Sequence, residues 1–294
     1  MTGWLIVNGF LHSNKFNEIS QWLMRAAVKE NLYMELKTNE EILISVSGAV
    51  ELLERKGEKP DFVLFWDKDI RLAEALELLE IPVFNNAKAI EDCDDKSRMH
   101  LALANSGIPT PKTIIAPMTY KNVGYTNCNF IDRVIEKIGF PMVVKECFGS
   151  FGQQVYLCSH KQKLLELVQS KGGIPLLFQE FIQSSFGKDL RLQVVGDEVV
   201  ACMYRYSENG DFRANITNGG KMKKYHPSKE QMDMAVKCCK VLGLDFAGVD
   251  LLFGNNGEPI VCEVNSNGHF KNIYDCTQVN AADAILAYIK KSLK

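Results

Sequence analysis

The sequence predicts a small open α/β domain followed by two α+β lobes. Over about the first 90 residues, short apolar strands alternate with amphipathic helices, which is typical of an open α/β sheet. From Leu190 onward, strands follow one another around tight turns, which indicates antiparallel sheet. A Gly-rich loop after a strand at 142–147 lies between these two regions. We therefore expect an N-terminal domain over 1–93, a small lobe over 94–183 and a large lobe over 184–294.

Each element has a local reason in the sequence. Apolar residues at helical spacing mark the helices, and Asp94 and Asp95 supply an acidic start to the third of them, which Gly107 ends. The expected helices cover 16–31, 69–80, 96–107, 160–170, 228–242 and 280–293, and a further helix is expected between about 129 and the strand at 142–147. The expected strands include 5–10, 62–66, 142–147 and 175–181. Gly196-Asp197 and Asn256-Gly257 each indicate a two-residue hairpin turn.

Composition excludes several classes of function. The 294 residues are 46% hydrophobic and 24% charged, with a net charge of −2, so we expect a soluble protein without the basic face that nucleic-acid binding needs. No apolar run is long enough to span a membrane, and "MTGWLIVNGF" has the pattern of a first strand and not of a signal peptide. Nine scattered cysteines without a C-x-x-C pair indicate packed thiols and a cytoplasmic location.

A hairpin near the C-terminus brings two carboxylates together. In "GVDLLFGNNGEPIVCEVN" (248–265), a turn at Asn256-Gly257 pairs Asp250 with Glu263; a loop of three or five residues would shift that pairing by one. Because side chains alternate along a strand, Asp250, Glu263 and Asn265 share one face.

Opposed carboxylates on a sheet repel one another, and a hard divalent cation removes the conflict. Mg²⁺ prefers oxygen ligands, usually one or two carboxylates completed by substrate phosphates. Asp250, Glu263 and Asn265 are therefore candidate ligands for Mg²⁺ or Mn²⁺. The alternative is that the two carboxylates lie at a solvated sheet edge and that Asn265 only starts a turn.

A phosphate ligand would also need a cradle, and "FPMVVKECFGSFGQQV" (140–155) supplies one. Lys145 lies in a β-branched strand, and Gly149, Ser150 and Gly152 follow in a loop. Glycines allow the backbone to approach a phosphate closely, and successive N–H groups form an anion-binding concavity. An ordinary hairpin turn is the alternative.

Further polar residues follow along the chain. Gln179 and Glu180 interrupt the apolar strand "LLFQEFI", whose edge offers groups that could pair with an adenine. Arg191, Arg205 and Arg213 fall within 23 residues and could grip a phosphate or a carboxylate in bidentate fashion. A solvated, salt-bridged face is the alternative.

The order of these motifs resembles that of the ATP-grasp superfamily. "DDKSRMHLALANSGIPTPKT", "FPMVVKECFGSFGQQV", "FQEFI", "GKDLRLQVVGDEVVACMYR", "DFRANITNGG", "AGVDLLF" and "VCEVNSNGHF" are similar to the motifs of RimK-type α-L-glutamate ligases and of the amino-acid ligases of lysine biosynthesis. The resemblance covers residues from about 94 to the C-terminus. It implies an ATP-grasp fold, in which two α+β lobes clamp ATP, preceded by a small open α/β domain.

The resemblance implies a role for each matching residue. Lys96 and Lys145 would contact the ATP phosphates. The segment Gly149–Gly152 would form a mobile flap above them, with Gly149, Ser150 and Gly152 as the nucleotide-binding residues. The adenine hinge would comprise Gln179, Glu180, Phe181 and Ile182, with Asp189 at the ribose. Arg213 and Asn215 would act with Lys145 at the γ-phosphate and the acyl group. Asp250, Glu263 and Asn265 would hold two Mg²⁺ or Mn²⁺ ions.

The implied reaction is ATP-dependent amide formation. ATP phosphorylates a carboxylate, and an amine attacks the acylphosphate to give an amide, ADP and phosphate. In this family a glutamate-like amino acid is added to a small molecule, a peptide or a protein acceptor such as a carrier, and the enzymes commonly form homo-oligomers. A kinase on the same scaffold and a catalytically silent nucleotide-binding regulator are the alternatives. The intact set of metal-ligating and lysine residues favours an enzyme over the silent regulator.

The sequence departs from the RimK-type pattern directly after Asn265. Ser266-Asn267-Gly268-His269 replaces the usual small residue followed by Ser-Pro-Gly, and "FKN" at 270–272 is nearer to the lysine-biosynthetic branch. This departure puts glutamate as the added amino acid in question. The candidate substrate residues are Arg191, Asn267, His269 and Lys271; a packed or capping histidine is the alternative at position 269.

Overall fold

The computed structural model describes residues 1–53, 59–150 and 152–294, and the backbone alone of residue 15. Within these ranges the chain forms a parallel sheet followed by two larger antiparallel sheets, with helices packed against each, and a separate two-stranded antiparallel sheet near the N-terminus. In the described part of the chain, no helix is both long enough and apolar enough to span a lipid bilayer.

The N-terminal sheet has the strand order β2-β1-β5-β6, and its paired strands are parallel. Its elements are β1 (Thr2–Val7), α1 (Asn14–Lys29), β2 (Tyr33–Thr38), β3 (Ile44–Val46), β4 (Val50–Leu52), β5 (Phe62–Trp66), α2 (Ile70–Leu78), β6 (Val83–Phe84) and α3 (Ala87–Asp94). Alternate residues of β5 enter different cores: Leu64 packs with residues of α1, and Phe65 packs with residues of α2. Burial on both faces explains why β5 is apolar throughout and was predictable. The half-exposed β2, the β3-β4 hairpin and α3 are absent from the sequence prediction.

The small antiparallel sheet has the order β7-β10-β8-β9. Its region comprises α4 (Lys96–Leu103), β7 (Thr113–Ile115), α5 (Phe130–Ile138), β8 (Met142–Glu146), β9 (Val155–Cys158), α6 (Lys161–Lys171) and β10 (Leu176–Glu180). Helices α5 and α6 cover one face through residues such as Val134 and Leu164. Met99 and Leu103 of α4 instead join a core with residues from the C-terminal third of the chain. The domain boundaries stay predictions.

The large antiparallel sheet has the order β13-β12-β11-β14-β15. Its region comprises β11 (Lys188–Val195), β12 (Glu198–Tyr206), β13 (Lys221–Lys224), α7 (Lys229–Leu242), β14 (Phe246–Phe253), β15 (Pro259–Asn265), α8 (Lys271–Thr277) and α9 (Ala281–Ser292). The predicted two-residue turn at Gly196-Asp197 is confirmed by the register of β11 and β12. Helix α7 begins at a capping box formed by Ser228 and Gln231 and ends at Gly243, which is left-handed.

The β14-β15 hairpin has the predicted carboxylate pairing but not the predicted loop. The N–H of Gly254 donates to the carbonyl of Glu258 (2.8 Å), and left-handed Gly257 (φ +85°) closes a three-residue loop. Such a loop shifts the register by one residue, and Phe253 accordingly pairs with Pro259. A β-bulge then inserts Cys262 and restores the pairing of Asp250 with Glu263. The two-residue turn was therefore wrong, and the bulge compensates for it.

The C-terminal helix joins the N-terminal sheet to the large lobe. Ile285 of α9 is fully buried in one core with Leu23 of α1, Trp66 of β5 and Phe246 of β14. Trp66 stacks on Phe246 with a ring-centroid distance of 5.5 Å. This shared core holds the carboxyl ends of β1 and β5 against the large lobe.

Candidate active site

One cleft, with a volume of about 680 Å³, is lined by residues from the parallel sheet and from both larger antiparallel sheets. Among the described residues, every side chain or glycine predicted for the site lines this cleft except Lys271. Lys271 pairs instead with Glu18 (3.4 Å) and Asp275 (3.1 Å). The structure therefore does not bring Lys271 to the cleft, because its position at the start of α8 directs the ammonium toward α1 and along its own helix.

Two buried lysines lie on the small-lobe side. The Lys96 ammonium donates to the carbonyl of Gly149 (3.0 Å) and lies 3.3 Å from Glu263. The Lys145 ammonium lies 3.6 Å from the Sγ atom of Cys262. Each lysine is 6% exposed. Lys96 has Glu263 as a negative partner, but Lys145 has no ion-pair partner among the described residues. Because a buried ammonium is costly without a negative partner, Lys145 favours an anionic ligand such as a polyphosphate.

The loop after β8 requires its glycines. Gly152 is left-handed (φ +71°), and a Cβ at this position would lie 2.6 Å from Oδ1 of Asn215. A Cβ at Gly149 would lie 2.5 Å from the Gln154 amide. Arg213 donates to the carbonyl of Gly152 (2.7 Å), so the loop is tied to the large lobe. Residue 151, within the predicted flap, lies outside the described residues.

The expected adenine hinge follows the cleft-facing end of β10. The Gln179 amide donates to Thr113 (2.8 Å) and lies 3.0 Å from Nε2 of His100. Burial and Lys145 lower the pKa of His100 to about 3, so its neutral ring can accept this hydrogen bond. These contacts fix the buried Gln179 side chain at the base of the hinge.

The next hinge residue, Glu180, ends β10, and the two after it leave the sheet. The Glu180 carboxylate accepts from the backbone N–H of Lys112 (2.9 Å), so this side chain braces the strand end. Phe181 and Ile182 follow the last paired residue of β10 and line the cleft. The Phe181 ring is edge-on to Phe212 at 6.1 Å. An apolar wall with backbone groups outside the sheet ladder suits a flat heteroaromatic ligand.

Four charged side chains form a buried array on the floor of the cleft. Arg191 lies opposite Asp250 in the register and bonds both of its carboxylate oxygens. Arg205 lies opposite Asp189, bonds both of its oxygens (2.6 and 2.8 Å) and reaches Asp250 at 3.0 Å. Arg205 is 5% exposed and Asp250 is 4% exposed, so the solvated-face alternative does not hold for this array.

The array sets the charge of Asp250. Burial opposes ionisation, but the guanidinium groups of Arg191 and Arg205 outweigh it and hold the pKa of Asp250 below its usual value. Burial raises the pKa of Asp189, although Arg205 partly offsets this effect. Asp189, the expected ribose contact, thus forms a bidentate ion pair with the guanidinium of Arg205.

The three expected metal ligands lie on adjacent strands at the same end of the cleft. The bulge turns both Cys262 and Glu263 toward the cleft, while Val264 packs into the core. The Nδ2 atom of Asn265 is buried and, among the described residues, has no hydrogen-bond partner. Across the described residues, no three His, Cys, Asp or Glu side chains are grouped to hold a metal. Two carboxylates and one amide fit a hard cation that takes its remaining oxygens from phosphates.

Arg213 and Asn215 lie beside the loop. Arg213 forms a bidentate pair with Asp211 (3.1 and 2.8 Å), and this carboxylate raises the pKa of the guanidinium. Asn215 precedes a short 3₁₀ helix (Ile216–Asn218). Both residues line the cleft next to Gly152. They are therefore positioned to meet a ligand that also contacts the loop.

The segment after Asn265 reaches the N-terminal sheet. The Asn267 amide donates to the carbonyl of Asp67 (2.6 Å), and the His269 ring is edge-on to Phe16 at 6.1 Å. Both Asn267 and His269 line the cleft, as predicted for substrate residues.

Asn85, a residue that the sequence analysis did not identify, holds this segment in place. It is fully buried, and its Nδ2 donates to the carbonyls of Phe246 (2.9 Å) and Ser266 (3.0 Å). Its Oδ1 accepts from the N–H groups of Asp245 (2.7 Å) and Phe246 (3.1 Å). Its place directly after β6, at the carboxyl edge of a parallel sheet, is a signal that could have found it.

Comparison with known proteins identifies the family. Residues 93–289 match the RimK-like ATP-grasp domain. The chain belongs to the RimK-like ATP-grasp family. It is accordingly an ADP-forming ATP-grasp ligase, as the sequence resemblance implies.

Relatives of known sequence support this membership. An uncharacterized protein of Mycoplasma genitalium is 32% identical over 87% of this chain and 90% of its own length. A probable α-L-glutamate ligase of Legionella pneumophila is 34% identical over 74% of this chain and 70% of its own length. The ATP-grasp ligase PsnB, solved with a minimal precursor, Mg and ADP, has a TM-score of 0.71 at 16% identity and covers 99% of this chain and 98% of its own. The predicted ATP-grasp fold is therefore confirmed.

Proposed function

We propose that this ATP-grasp ligase joins a carboxylate to the amine of an amino acid through an acylphosphate, with ATP and Mg²⁺ or Mn²⁺ in the cleft. The observation that carries the proposal is the single cleft in which buried lysines, arginines and oxygen ligands converge. Such a constellation suits phosphoryl transfer, because that reaction depends mainly on positioning and on neutralising charge.

The chain's own residues divide the binding work. Lys96 and Lys145 hold the phosphates, and the backbone N–H groups of the loop at Gly149, Ser150 and Gly152 cover them. Gln179 to Ile182 receive the adenine at the strand end, and Asp189 is the proposed ribose contact. PsnB was solved with ADP and Mg, and those ligands are proposed for this chain by analogy.

Charge neutralisation and water exclusion come from the large lobe. Arg213 and Asn215 lie beside Gly152 and approach the transferred phosphoryl group and the acyl oxygen. Asp250, Glu263 and Asn265 would hold two divalent ions, which when bound neutralise the phosphate oxygens. The Arg213–Gly152 hydrogen bond keeps the loop over the cleft, so that the acylphosphate meets the amine before it meets water.

The amine is proposed to be an amino acid, and glutamate is the first to test. The Legionella relative carries the name of a glutamate ligase. The segment from Ser266 to His269 differs from the RimK-type pattern, so the test must extend beyond glutamate. The carboxylate partner is a small molecule or the carboxyl group of a peptide.

The proposal is tested by a pairwise screen. Carboxylates and amino acids are combined with ATP and Mg²⁺, and phosphate, ADP and the mass of the product are measured. We expect phosphate release that needs both partners, with a product equal in mass to their sum less one water. Release that never depends on a pair would contradict the proposal.

Hydroxylamine separates a ligase from a kinase on the same scaffold. With the carboxylate alone, a ligase should convert hydroxylamine to a hydroxamate, because the acylphosphate is trapped. A kinase acting on a hydroxyl group yields a stable phosphate ester and no hydroxamate.

A further inference from the structure

The cleft contains a buried carboxylate that the proposed ATP chemistry does not use. Asp67 follows β5 at the carboxyl edge of the N-terminal sheet, lines the cleft and is 7% exposed. Among the described residues it forms no ion pair, since the neighbouring Lys68 pairs with Asp94. Burial raises the pKa of Asp67, and hydrogen bonds from the Lys68 backbone and the Asn8 amide only partly offset this. A buried carboxylate without a cation costs stability, so its retention needs another explanation.

Two residues that line this corner of the cleft, Asp67 and Asn267, keep acceptor capacity that their hydrogen bonds to the protein do not use. The Asn8 amide donates to both carboxylate oxygens (3.3 and 3.2 Å), while its own oxygen accepts from the N–H of Phe10 (3.0 Å). The Nδ2 of Asn267 donates to the backbone carbonyl of Asp67. Its Oδ1 is buried and, among the described residues, has no hydrogen-bond partner. The Asp67 carboxylate and Oδ1 of Asn267 thus remain as acceptors in one corner of the cleft.

This corner adjoins the phosphate end. Asn267 lies two residues after the expected metal ligand Asn265, and Asn85 holds the carbonyl of the intervening Ser266. A group bound between Asp67 and Asn267 therefore lies on the cleft wall that continues directly from the proposed site of acyl transfer.

We propose that Asp67 and Asn267 form a subsite that binds the amino group of the amine substrate in its ammonium form. A primary ammonium carries the positive charge that Asp67 lacks and has three N–H donors, enough for the carboxylate and for Oδ1 of Asn267. A divalent cation fits less well, because the corner supplies one carboxylate and one amide oxygen where Mg²⁺ needs near-octahedral oxygen ligation. This inference rests on the proposed function for the role of the ammonium, but its binding can be measured without turnover.

Binding is tested by NMR on the full-length ¹⁵N-labelled protein with ADP and Mg²⁺ present. Each of the common amino acids is titrated, followed by its N-acetyl derivative, which lacks the ammonium group. We expect at least one amino acid to shift the side-chain amide signals of Asn8 and Asn267 saturably, and its N-acetyl form to leave them unchanged. Absence of any saturable shift, or an equal response to the N-acetyl form, would overturn the proposal.

Variants separate the charge from the shape of the site. Asp67→Asn keeps the side-chain shape and should abolish the shifts, whereas Asp67→Glu should restore part of them. The matched control is Asp61→Asn, an exposed carboxylate just before β5 that should leave the shifts as in wild type. Because Asp67 forms no ion pair within the part of the chain that the structure describes, Asp67→Asn should not lower the melting temperature, so lost binding cannot be ascribed to unfolding. Unchanged shifts in Asp67→Asn would refute the subsite.

Kinetics connect the subsite with the reaction. With an active pair from the screen, Asp67→Asn should raise KM for the amine about tenfold to hundredfold, as expected for loss of a charge-assisted hydrogen bond, and leave KM for ATP unchanged. Hydroxylamine, which is largely uncharged near neutral pH, should react equally with both proteins. If no pair is active, the proposed function fails while the NMR result still decides the subsite. An active pair with an unchanged amine KM would overturn the subsite alone.

Discussion

The two ends of the cleft differ in how their buried charged side chains are paired. At the phosphate end, Lys96 meets Glu263, Arg191 meets Asp250, and Arg205 meets Asp189. At the end formed with the N-terminal sheet, Asp67 has amide and backbone donors but, among the described residues, no ion-pair partner; the charge of Lys68, which pairs with Asp94, only partly offsets the effect of burial.

The difference indicates which group balances the buried charge at each end: another residue of the protein at the phosphate end, and a ligand at the other. Charges that cancel within the protein can stay buried without a ligand, but an incoming phosphate or metal must exchange partners with them. A carboxylate without a cation is destabilising until a ligand supplies the charge. We therefore expect substitutions at the phosphate end to impair catalysis, and neutralisation of a lone carboxylate to leave stability equal or higher.

The largest effect is expected for Glu263→Gln. The change keeps the shape of the side chain but removes the charge that faces Lys96 and the proposed metal, so ADP formation should fall by about 10²–10³-fold. Steady-state ADP release with an active substrate pair measures it. Glu258→Gln, an exposed glutamate of the same hairpin, is the control and should retain activity. Wild-type turnover in Glu263→Gln would remove Glu263 from the metal site.

Asp250 is a less suitable target for the same test, because its substitution would also remove an ion-pair partner from two buried arginines.

Asn85→Ala tests whether the two ends are held together by one side chain. It would leave four buried backbone groups without their partner, so the free energy of unfolding should fall by about 3–5 kcal/mol. Urea unfolding measures this, with Asn255→Ala in the exposed hairpin loop as the control. A loss no greater than that of the control would show that the shared core alone holds the two ends.

Lys145→Ala probes the lysine that has a thiol, and not a carboxylate, as its near neighbour. We expect KM for ATP to rise about tenfold to hundredfold, because a charge-assisted hydrogen bond to phosphate is lost. Lys137→Ala, on the exposed side of α5, is the control. An unchanged KM for ATP would take Lys145 out of the phosphate cradle.

Asp245 offers a lone carboxylate outside the cleft, with which Asp67 can be compared. Burial raises the pKa of Asp245 to about 6, although Tyr288 donates to it (2.9 Å). Because the folded pKa lies above the usual 3.8, its contribution to stability is fully present below about pH 4 and is lost as pH rises through about 6. Asp245→Asn should therefore gain about 1–3 kcal/mol over wild type at pH 8, and little or nothing below pH 4.

Unfolding free energies measured at both pH values check this smallest effect. Asp197→Asn, an exposed carboxylate whose pKa is lowered by Lys240, is the control and should show no gain at pH 8. A gain of the same size at both pH values would show that the ionisation of Asp245 is not its cause.

Much of the fold could be predicted because its elements are locally encoded. The buried strand 62–66 and the helix starting at Ser228 matched closely, since continuous burial and a capping box leave plain patterns. The half-exposed strand β2 was not predicted, because buried and exposed residues do not alternate regularly along it. The pairing of Asp250 with Glu263 was reached by a count that missed both the three-residue loop and the bulge, two departures that cancel.

The sequence by itself determined the family, the kinds of side chain available for phosphate and metal, and the order in which the chain presents them. These features depend on residue identity and on spacing within short segments. Only the tertiary structure decided which charges form ion pairs, which buried charges have no such partner among the described residues, and which residues join the two ends. Asn85 bonds residues about 160 to 180 positions away, and Asp67 meets Asn267 at a separation of 200 positions. Such partners are chosen by the packing of whole sheets against one another, and no local pattern encodes them.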